Sequence, residues 1–227
     1  MHQADHTKDR LIIYASYLIG ILFLVSGSLL FPQLESVIWI NGWHTEFLDA
    51  FFPAVTNLGN GLILLPIAVL FLFRKVYLTL ALATCALMQA VMVMILKRAI
   101  FPTAKRPVHF LDEAAVHFVP TIEVHKVMSF PSGHTVTIFG LCIFLSLCYR
   151  NQFLSLFLLI LAIAVGLSRV YLLQHFLADV ACGAMLGTVA GVLSFHIFEK
   201  MSRPLWMENR LEIRFRMTTP RSKSVGY

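Results

Sequence analysis

Long apolar runs separated by short polar segments fill most of this 227-residue chain. A helix needs about 20 apolar residues to cross the hydrocarbon core of a bilayer. The runs predict six spans, at residues 11–31, 54–73, 76–96, 131–149, 153–167 and 176–198. Hydrophobic residues make up 58% of the chain and charged residues 13%, which favours an integral membrane protein. We therefore expect an all-α fold, a six-helix transmembrane bundle.

The predicted bundle forms one domain, residues 1–199, followed by a basic tail, residues 200–227. The first run is too long for the core of a signal peptide and lacks a clear cleavage site, so we expect it to stay as an anchor. Residues 46–58 have the spacing of an amphipathic helix at the membrane interface. Gly59, Asn60 and Gly61 are expected to interrupt the second span. The four cysteines all lie in apolar runs without metal-ligand spacing, which indicates buried small hydrophobes.

The distribution of Lys and Arg predicts the orientation, because cytoplasmic loops are enriched in both residues. One side carries Lys8, Arg10, Arg74, Lys75, Arg150 and seven more from Lys200 to Lys223. The other side carries only Lys97, Arg98, Lys105, Arg106, Lys126 and Arg169. We therefore expect an inner (cytoplasmic) membrane protein with both termini cytoplasmic and its active site facing the periplasm or cell exterior. This topology explains the net charge of +6, and no nucleic-acid partner is predicted.

Three polar clusters fall on the predicted outer face: residues 97–107, residues 131–134 (Pro-Ser-Gly-His) and residues 168–179. A charge at the bilayer centre costs about 2.5–3.5 kcal/mol on insertion scales, so intramembrane ionisable residues are candidates for function. A structural ion pair between helices is the alternative for the third cluster. The convergence of three clusters on one face favours a functional site.

The third cluster contains a candidate nucleophile. His175 and Asp179 are four residues apart, so on a helix they share one face. A carboxylate that accepts from one imidazole nitrogen selects the tautomer and leaves the other nitrogen free to react. We predict that His175 is the nucleophile of a phosphohistidine intermediate, and that His134 is the general acid.

The remaining candidates are suited to binding phosphate. Lys97, Arg106 and Arg169 supply positive charge, and the two arginines can bind an oxyanion through two parallel hydrogen bonds. Ser132 and Gly133 lie at the predicted start of the fourth span, where free backbone N–H groups form an anion site. Cations, a nucleophile and an acid are the components that phosphoryl transfer requires. We predict neither a metal site nor a cofactor.

The sequences Pro-Ser-Gly-His and Ser-Arg-x5-His-x3-Asp resemble the second and third signature motifs of the type 2 phosphatidic acid phosphatase (PAP2) superfamily. This superfamily contains lipid phosphatases, glucose-6-phosphatase and vanadium haloperoxidases. The resemblance covers roughly residues 11–199. It implies the helical bundle of the PAP2/haloperoxidase type, metal-independent dephosphorylation through a phosphohistidine, and the roles given above for the matching residues.

The first motif departs from the family pattern Lys-x6-Arg-Pro. Here Lys97 lies nine residues before Arg106, Arg98 lies eight before it, and position 99 is Ala. We place two extra residues in the turn at 101–104 and favour Lys97 as the phosphate-binding cation. Arg98 is the other candidate, and both residues have the alternative role of anchoring the helix at the membrane interface.

The predicted activity is hydrolysis of a lipid phosphomonoester or pyrophosphate. Undecaprenyl pyrophosphate, phosphatidylglycerol phosphate, phosphatidic acid and a lipid A phosphate all suit the same anion site. The alternatives are a phosphatase of a soluble sugar phosphate, a haloperoxidase, and a small six-span transporter. The oligomeric state is left open.

Two features were assigned no catalytic role. Glycines 183, 187 and 191 form a small-residue stripe that should pack against a neighbouring helix. His44, His109 and His117 are expected at the surface. His125 and Lys126 are expected to be solvated loop residues, with contact to a substrate head group as the alternative.

Overall fold

A computed structural model describes residues 2–120 and 122–209, and regular structure in this part of the chain is helical. The α-helices are α1 (His2–Leu30), α2 (Gln33–Asn41), α3 (Glu46–Thr56), α4 (Leu64–Leu72), α5 (Val76–Met94), α6 (Gly133–Tyr149), α7 (Gln152–Tyr171), α8 (Leu177–Lys200) and α9 (Leu205–Glu208). Lys105 and Val127 form an isolated β-bridge, but no strand occurs within the described ranges. The all-α prediction is confirmed. Most of the predicted basic tail, residues 210–227, lies outside the described residues.

Within residues 2–120 and 122–209, four segments are long and apolar enough to cross a membrane: Thr7–Leu30, Val76–Ile100, Gln152–Tyr171 and Leu177–Lys200. A bent pair of segments, Glu46–Gly59 and Gly61–Leu72, is also apolar and long enough when taken together, and its axes meet at 62°, as in a broken span or a re-entrant loop. α6 is apolar but has only 17 residues, fewer than the 20 or so of a typical spanning helix. The chain is thus a helical membrane protein, while the count of six crossings stays a prediction.

The second span differs from its prediction. Its helix begins at Glu46, where the Thr45 hydroxyl accepts from the Leu48 N–H at 3.2 Å and caps the first turn, and not near residue 54. The segment predicted as a separate interfacial helix is therefore the first arm of the bent pair, and it packs against α7. The bend falls at Asn60, whose extended backbone separates two short 3₁₀ turns.

The fifth span is also longer than predicted. α7 continues to Tyr171, one turn beyond the predicted end at residue 167, and therefore includes Ser168 and Arg169. The charge of Arg169 suggested the end of the span, but the helix continues past this residue. The Arg169 guanidinium is buried there, and the buried hydroxyl of Thr56 on α3 accepts a hydrogen bond from it.

The close packing of α8 against α6 holds the centre of the bundle together. A Cβ atom added to Gly183, Gly187 or Gly191 would lie 2.8, 2.3 or 2.5 Å from a backbone oxygen of Ser132, Val136 or Gly140. Only glycine permits this approach of two backbones. The predicted small-residue stripe therefore faces α6, and it brings the start of α8 beside the start of α6.

Candidate active site

The three polar clusters meet at one end of the bundle. Arg106 comes from the loop between α5 and α6, His134 from the first turn of α6, and Arg169 from the last turn of α7. His175 and Asp179 lie at the start of α8, and the Ser132 N–H donates to the backbone oxygen of Asp179 at 3.1 Å. Helix ends separated by tens of residues in sequence are thus adjacent in the fold.

His175 and Asp179 are paired, but not on one helical face as predicted. His175 precedes α8, which begins at Leu177. Asp179 lies in the first turn, where its Oδ2 accepts from the Phe176 N–H at 3.0 Å and lies 3.3 Å from Nδ1 of His175. The same carboxylate therefore both caps the start of α8 and orients the imidazole of His175. This leaves Nε2 of His175 without a partner among the described residues.

Burial lowers the pKa of His175 to about 3, against the opposing effect of the hydrogen bond with Asp179. The positive charges of Arg106 and Arg169 lower it further. The ring is only 2% exposed. His175 is therefore a neutral imidazole at physiological pH, with the lone pair on Nε2 available as a nucleophile.

Ser129 is a further partner of Asp179, and the sequence analysis missed it. Its hydroxyl donates to Oδ2 of Asp179, the oxygen nearest His175. Ser129 lies two residues before the second motif and is buried. A single serine in a polar loop carries no signal of this role, which depends on how the loop folds onto α8.

Arg106 is 7% exposed and is held in place by backbone and side-chain oxygens. Its Nη1 donates to the backbone oxygen and to Oε1 of Gln174 at 3.0 and 2.7 Å, and its Nε donates to the Val127 oxygen at 2.9 Å. Gln174 in turn donates to the Glu123 oxygen at 2.8 Å. None of these acceptors is charged, and Nη2 has no acceptor in the described part of the chain. The guanidinium keeps its charge and a free edge for an anion.

Arg169 has a similar arrangement. It is 8% exposed, and its Nη1 donates to Oγ1 of Thr56 on α3 at 2.9 Å. Its Nε is buried and has no protein partner among the described residues. A buried guanidinium with unused donors is costly unless an anion satisfies them. Thr56, like Gln174, was not a candidate from the sequence.

Lys97 and Arg98 lie on a π-helical turn, Ile95–Ile100, that continues α5. Lys97 is half-buried, and its Nζ donates to the Met128 backbone oxygen at 2.8 Å. Its charge interacts with those of Arg106, Arg169 and Asp179, whereas Arg98 is exposed. The wider π-helical turn accommodates part of the extra length of the first motif. Its geometry favours Lys97 over Arg98 as the phosphate-binding cation. The role of Lys97 stays a prediction.

The N-terminus of α6 differs in part from the predicted anion site. The N–H of Ser132 is used by the Asp179 oxygen, and its buried hydroxyl accepts from Thr135 Oγ1 at 2.9 Å. Ser132 thus joins α6 to α8 through its N–H, while its hydroxyl hydrogen has no acceptor among the described residues. The role of Ser132 in phosphate binding stays a prediction. The N–H groups of Gly133 and His134 have no backbone acceptor within the described ranges, and these two are the ones available to an anion.

His134 is half-buried at the first turn of α6, and no hydrogen bond holds its ring within the described ranges. The charges of Arg169, Lys97 and Arg106 all act on it. On its other side, a Cβ added to Gly59 would lie 2.8 Å from its Cβ. Three cations and one carboxylate thus surround two imidazoles, and this excess of positive charge is suited to a phosphate group.

The five loop residues that were given no catalytic role differ in their surroundings. His44, His109, His125 and Lys126 are exposed. His117 differs from its prediction, because its Nε2 lies 2.7 Å from Oδ2 of Asp49 and its ring stacks on His44. The contact between His117 and Asp49 connects the loop before the second motif to α3. No group of three or more His, Cys, Asp or Glu side chains arranged to hold a metal occurs within the described ranges.

The family model of the PAP2 superfamily matches residues 62–203, a segment that contains every predicted site residue. The chain therefore belongs to the PAP2 superfamily. Its similarity to solved structures extends further along the chain. It resembles LpxE of Aquifex aeolicus at 29% sequence identity with a TM-score of 0.63, covering 72% of this chain and 94% of that one. A transmembrane PAP2 type phosphatidylglycerolphosphate phosphatase from Bacillus subtilis shares the fold at 23% identity, with a TM-score of 0.57 and coverage of 84% and 96%.

Two curated relatives match over shorter segments. The lipid A 4'-phosphatase of Bacteroides thetaiotaomicron is 37% identical over 76 residues, 34% of each chain. The bacitracin transport permease protein BcrC of Bacillus licheniformis is 36% identical over 74 residues, 33% of this chain and 36% of that protein. The matches thus span about a third of the length of these relatives.

Proposed function

We propose that this protein is a membrane phosphatase that hydrolyses a lipid phosphomonoester or pyrophosphate through a phosphohistidine on His175. The observation that carries the proposal is the charge balance around this imidazole. Lys97, Arg106 and Arg169 interact with one another and face a single carboxylate, that of Asp179. A bound phosphate would neutralise this excess and satisfy the free donors of both arginines.

Substrate binding follows from these donors. The three cations and the N–H groups at the start of α6 bind the non-bridging oxygens of the phosphoryl group. Their fixed positive charge stabilises the charge that develops on these oxygens during transfer. The same role is filled by a divalent cation in many phosphotransfer enzymes, so we propose that hydrolysis here is metal-independent.

The reaction has two steps. In the first, Nε2 of His175 attacks phosphorus and the bond to the leaving oxygen breaks. His134, protonated once the bound phosphate offsets the three neighbouring cations, gives its proton to that oxygen. Asp179 stabilises the positive imidazolium that forms. In the second, His134 takes a proton from water as the water oxygen attacks phosphorus. The P–N bond then breaks, which releases inorganic phosphate and regenerates His175.

A lipid substrate is supported by a cavity of about 370 Å³ beside His134. It lies between the bend of the second span and α5, and its lining includes Leu64, Ala86 and Val93. These residues belong to membrane-spanning segments, so a lipid could approach His134 with its chains still in the bilayer. A chain that stays in the bilayer avoids a cost of about 0.8 kcal/mol per CH₂ moved into water.

The proposed orientation has both termini in the cytoplasm and the site at the outer surface of the inner membrane. Arg10, Arg74, Arg150 and Arg203 lie together at the end of the bundle opposite the site, and basic residues are enriched on the cytoplasmic side. The natural head group and the oligomeric state do not enter this proposal.

Phosphate release by purified protein, measured with EDTA present, tests the proposal. The substrates are the four lipids named above, with glucose 6-phosphate and p-nitrophenyl phosphate as soluble comparisons. We expect a much higher kcat/KM for at least one lipid, and slower turnover when inert detergent dilutes it at fixed bulk concentration. Equal efficiency on glucose 6-phosphate without a dilution effect would favour a soluble substrate. No hydrolysis of any substrate would favour the transporter class.

A further inference from the structure

A second cavity, of about 430 Å³, lies at the end of the bundle opposite the active site. The turn between α4 and α5, the end of α6 and the end of α8 surround it, and we refer to it as the basal cavity. α5 and α8 each have one end at this cavity and the other at the active site, so a membrane span separates the two. Its volume is within the usual range for ligand pockets.

The inner wall of the basal cavity is aromatic. Phe71 and Phe144 are buried there, and Phe195 and Phe198 line it from α8. Phe144 contacts both Phe71 and Phe195 edge to face, with ring centroids 6.1 and 6.3 Å apart. Such a wall suits the first carbons of an acyl chain and has no donors for a highly hydrated ion.

The rim of the basal cavity is cationic. Glu199 pairs with Arg10 and with Arg150, the latter at 3.2 Å. The nearby carboxylate of Glu208 binds Lys75 at 2.9 Å and Nε of Arg203 at 3.0 Å. The two carboxylates thus form ion pairs with four cationic side chains, and Arg74 is a fifth cation at the rim. The rim therefore has an excess of positive charge.

Arg74 and Arg203 are the rim residues best placed to bind an anion. Arg74 is exposed, and its side chain has no acceptor within the described ranges. The guanidinium of Arg203 lies over the ring of Tyr77, 4.0 Å from the centroid, which holds it flat against the rim. Its two terminal nitrogens have no acceptor among the described residues.

We propose that the basal cavity binds the head-group end of an anionic phospholipid from the leaflet on this side of the membrane. The lipid phosphate would lie between Arg74 and Arg203, and the start of one acyl chain would pack on the aromatic wall. Basic pockets between transmembrane helices bind anionic head groups in this way. A free phosphate would satisfy the rim but leave the aromatic wall empty, so the wall favours a lipid. This proposal does not depend on the proposed function.

The chain contains a natural reporter for this site. Of its three tryptophans, Trp206 is half-exposed on α9, three residues after Arg203, while Trp39 and Trp43 lie on and next to α2. A W39F/W43F background therefore leaves one fluorophore beside the basal cavity. In vesicles of phosphatidylcholine, quenching of Trp206 is measured against the fraction of phosphatidylglycerol with brominated chains. Phosphatidylglycerol is a phosphodiester, so a phosphomonoesterase does not consume it.

We expect quenching to reach half its maximum at a mole fraction of brominated phosphatidylglycerol about 25-fold below that of brominated phosphatidylcholine. Removing one cation near a membrane surface weakens binding about fivefold. R74Q should therefore weaken it about fivefold, and R74Q/R203Q about 25-fold. The matched control is K8Q/K200Q, which removes two exposed charges from the same end of the bundle without altering the lining. We expect less than about a twofold change in this control.

Three results would overturn the proposal. Equal quenching by both brominated lipids would mean that the cavity does not select an anionic lipid. If K8Q/K200Q and R74Q/R203Q weaken the binding of brominated phosphatidylglycerol equally, the binding depends on general surface charge and not on this cavity. Competition by millimolar glycerol 3-phosphate, equal to that of unbrominated phosphatidylglycerol, would identify a site for soluble phosphate. If R74Q/R203Q does not fold, R74Q alone decides, because its exposed side chain supports no contact in the described structure.

Discussion

The hydroxyl of Ser129 donates to Oδ2 of Asp179, the carboxylate oxygen that faces Nδ1 of His175. Three buried residues from two distant segments therefore form one chain of hydrogen bonds that ends at the proposed nucleophile. In a buried chain each member polarises and orients the next. We therefore expect Ser129 to act as a positioning residue for the nucleophile.

Ser129→Ala should lower kcat about 10- to 100-fold while leaving KM nearly unchanged, because a hydrogen bond to a carboxylate contributes about 1.5–3 kcal/mol. Steady-state kinetics on the preferred lipid measure both constants. Ser28→Ala is the matched control, since that hydroxyl donates only to the Val25 oxygen of its own helix. A rise in KM with kcat unchanged would place Ser129 in substrate binding instead.

His175→Ala and His134→Ala should each remove nearly all turnover while the protein remains folded in detergent. A general acid typically contributes about 10²–10⁴-fold. Asp179→Asn should be less severe, because the imidazole remains but loses its orienting carboxylate. Protein incubated with substrate radiolabelled at the phosphoryl group and quenched in alkaline detergent should retain label in wild type and not in His175→Ala, because the P–N bond of phosphohistidine is stable in base. Near wild-type phosphate release by His175→Ala would refute the assignment of the nucleophile.

Among the basic residues of the first motif, Arg106→Ala should cost the most activity, Lys97→Ala less and Arg98→Ala least. Arg106 is buried with a free guanidinium edge, and loss of one such charge typically costs about 10²–10³-fold. Arg98 is exposed, so its loss should change kcat/KM by no more than about twofold. Comparison of the three kcat/KM values is the measurement. Greatest sensitivity at Arg98 would mean that the extra residues are placed wrongly.

Gly187→Ala should destabilise the bundle by about 1–3 kcal/mol, because its new methyl group would lie 2.3 Å from the Val136 backbone oxygen. Thermal unfolding in detergent, followed by circular dichroism, is the measurement. Gly61→Ala is the control, since nothing lies within 4 Å of the added Cβ. We expect its stability to stay within about 1 kcal/mol of wild type. Equal stability of the two variants would argue against the observed contact of α6 with α8.

Topology is tested with single cysteines at Glu113 and at Ser222, in a background that lacks the four native cysteines. Ser222 lies outside the described residues, and Glu113 is exposed in the loop before α6. A membrane-impermeant thiol reagent applied to intact cells should label position 113 and not position 222. The opposite pattern would reverse the proposed orientation.

The sequence was sufficient for the class of fold and for the identity of the candidate residues. Apolar runs of spanning length have one stable outcome in a bilayer, the helix, because the chain must satisfy its backbone polar groups internally. Charged residues in such runs carry a large cost, so His175, Asp179 and Arg169 stood out without any tertiary information. The break at Asn60 was predictable for a local reason, since two flanking glycines weaken a helix.

Only the tertiary structure decided which atoms of these residues form hydrogen bonds, and with which partners. The pairing of His175 with Asp179 was expected from helical spacing, yet it arises because the carboxylate caps the start of α8. Ser129, Gln174 and Thr56 carried no signal in the sequence, since their roles depend on contacts with residues 50, 68 and 113 positions away. The end of α7 was misjudged for the same reason, because Thr56 makes a buried Arg169 tolerable. Residue types and their spacing are visible in the sequence. A hydrogen bond between distant segments forms only where the packing of helices brings those segments together.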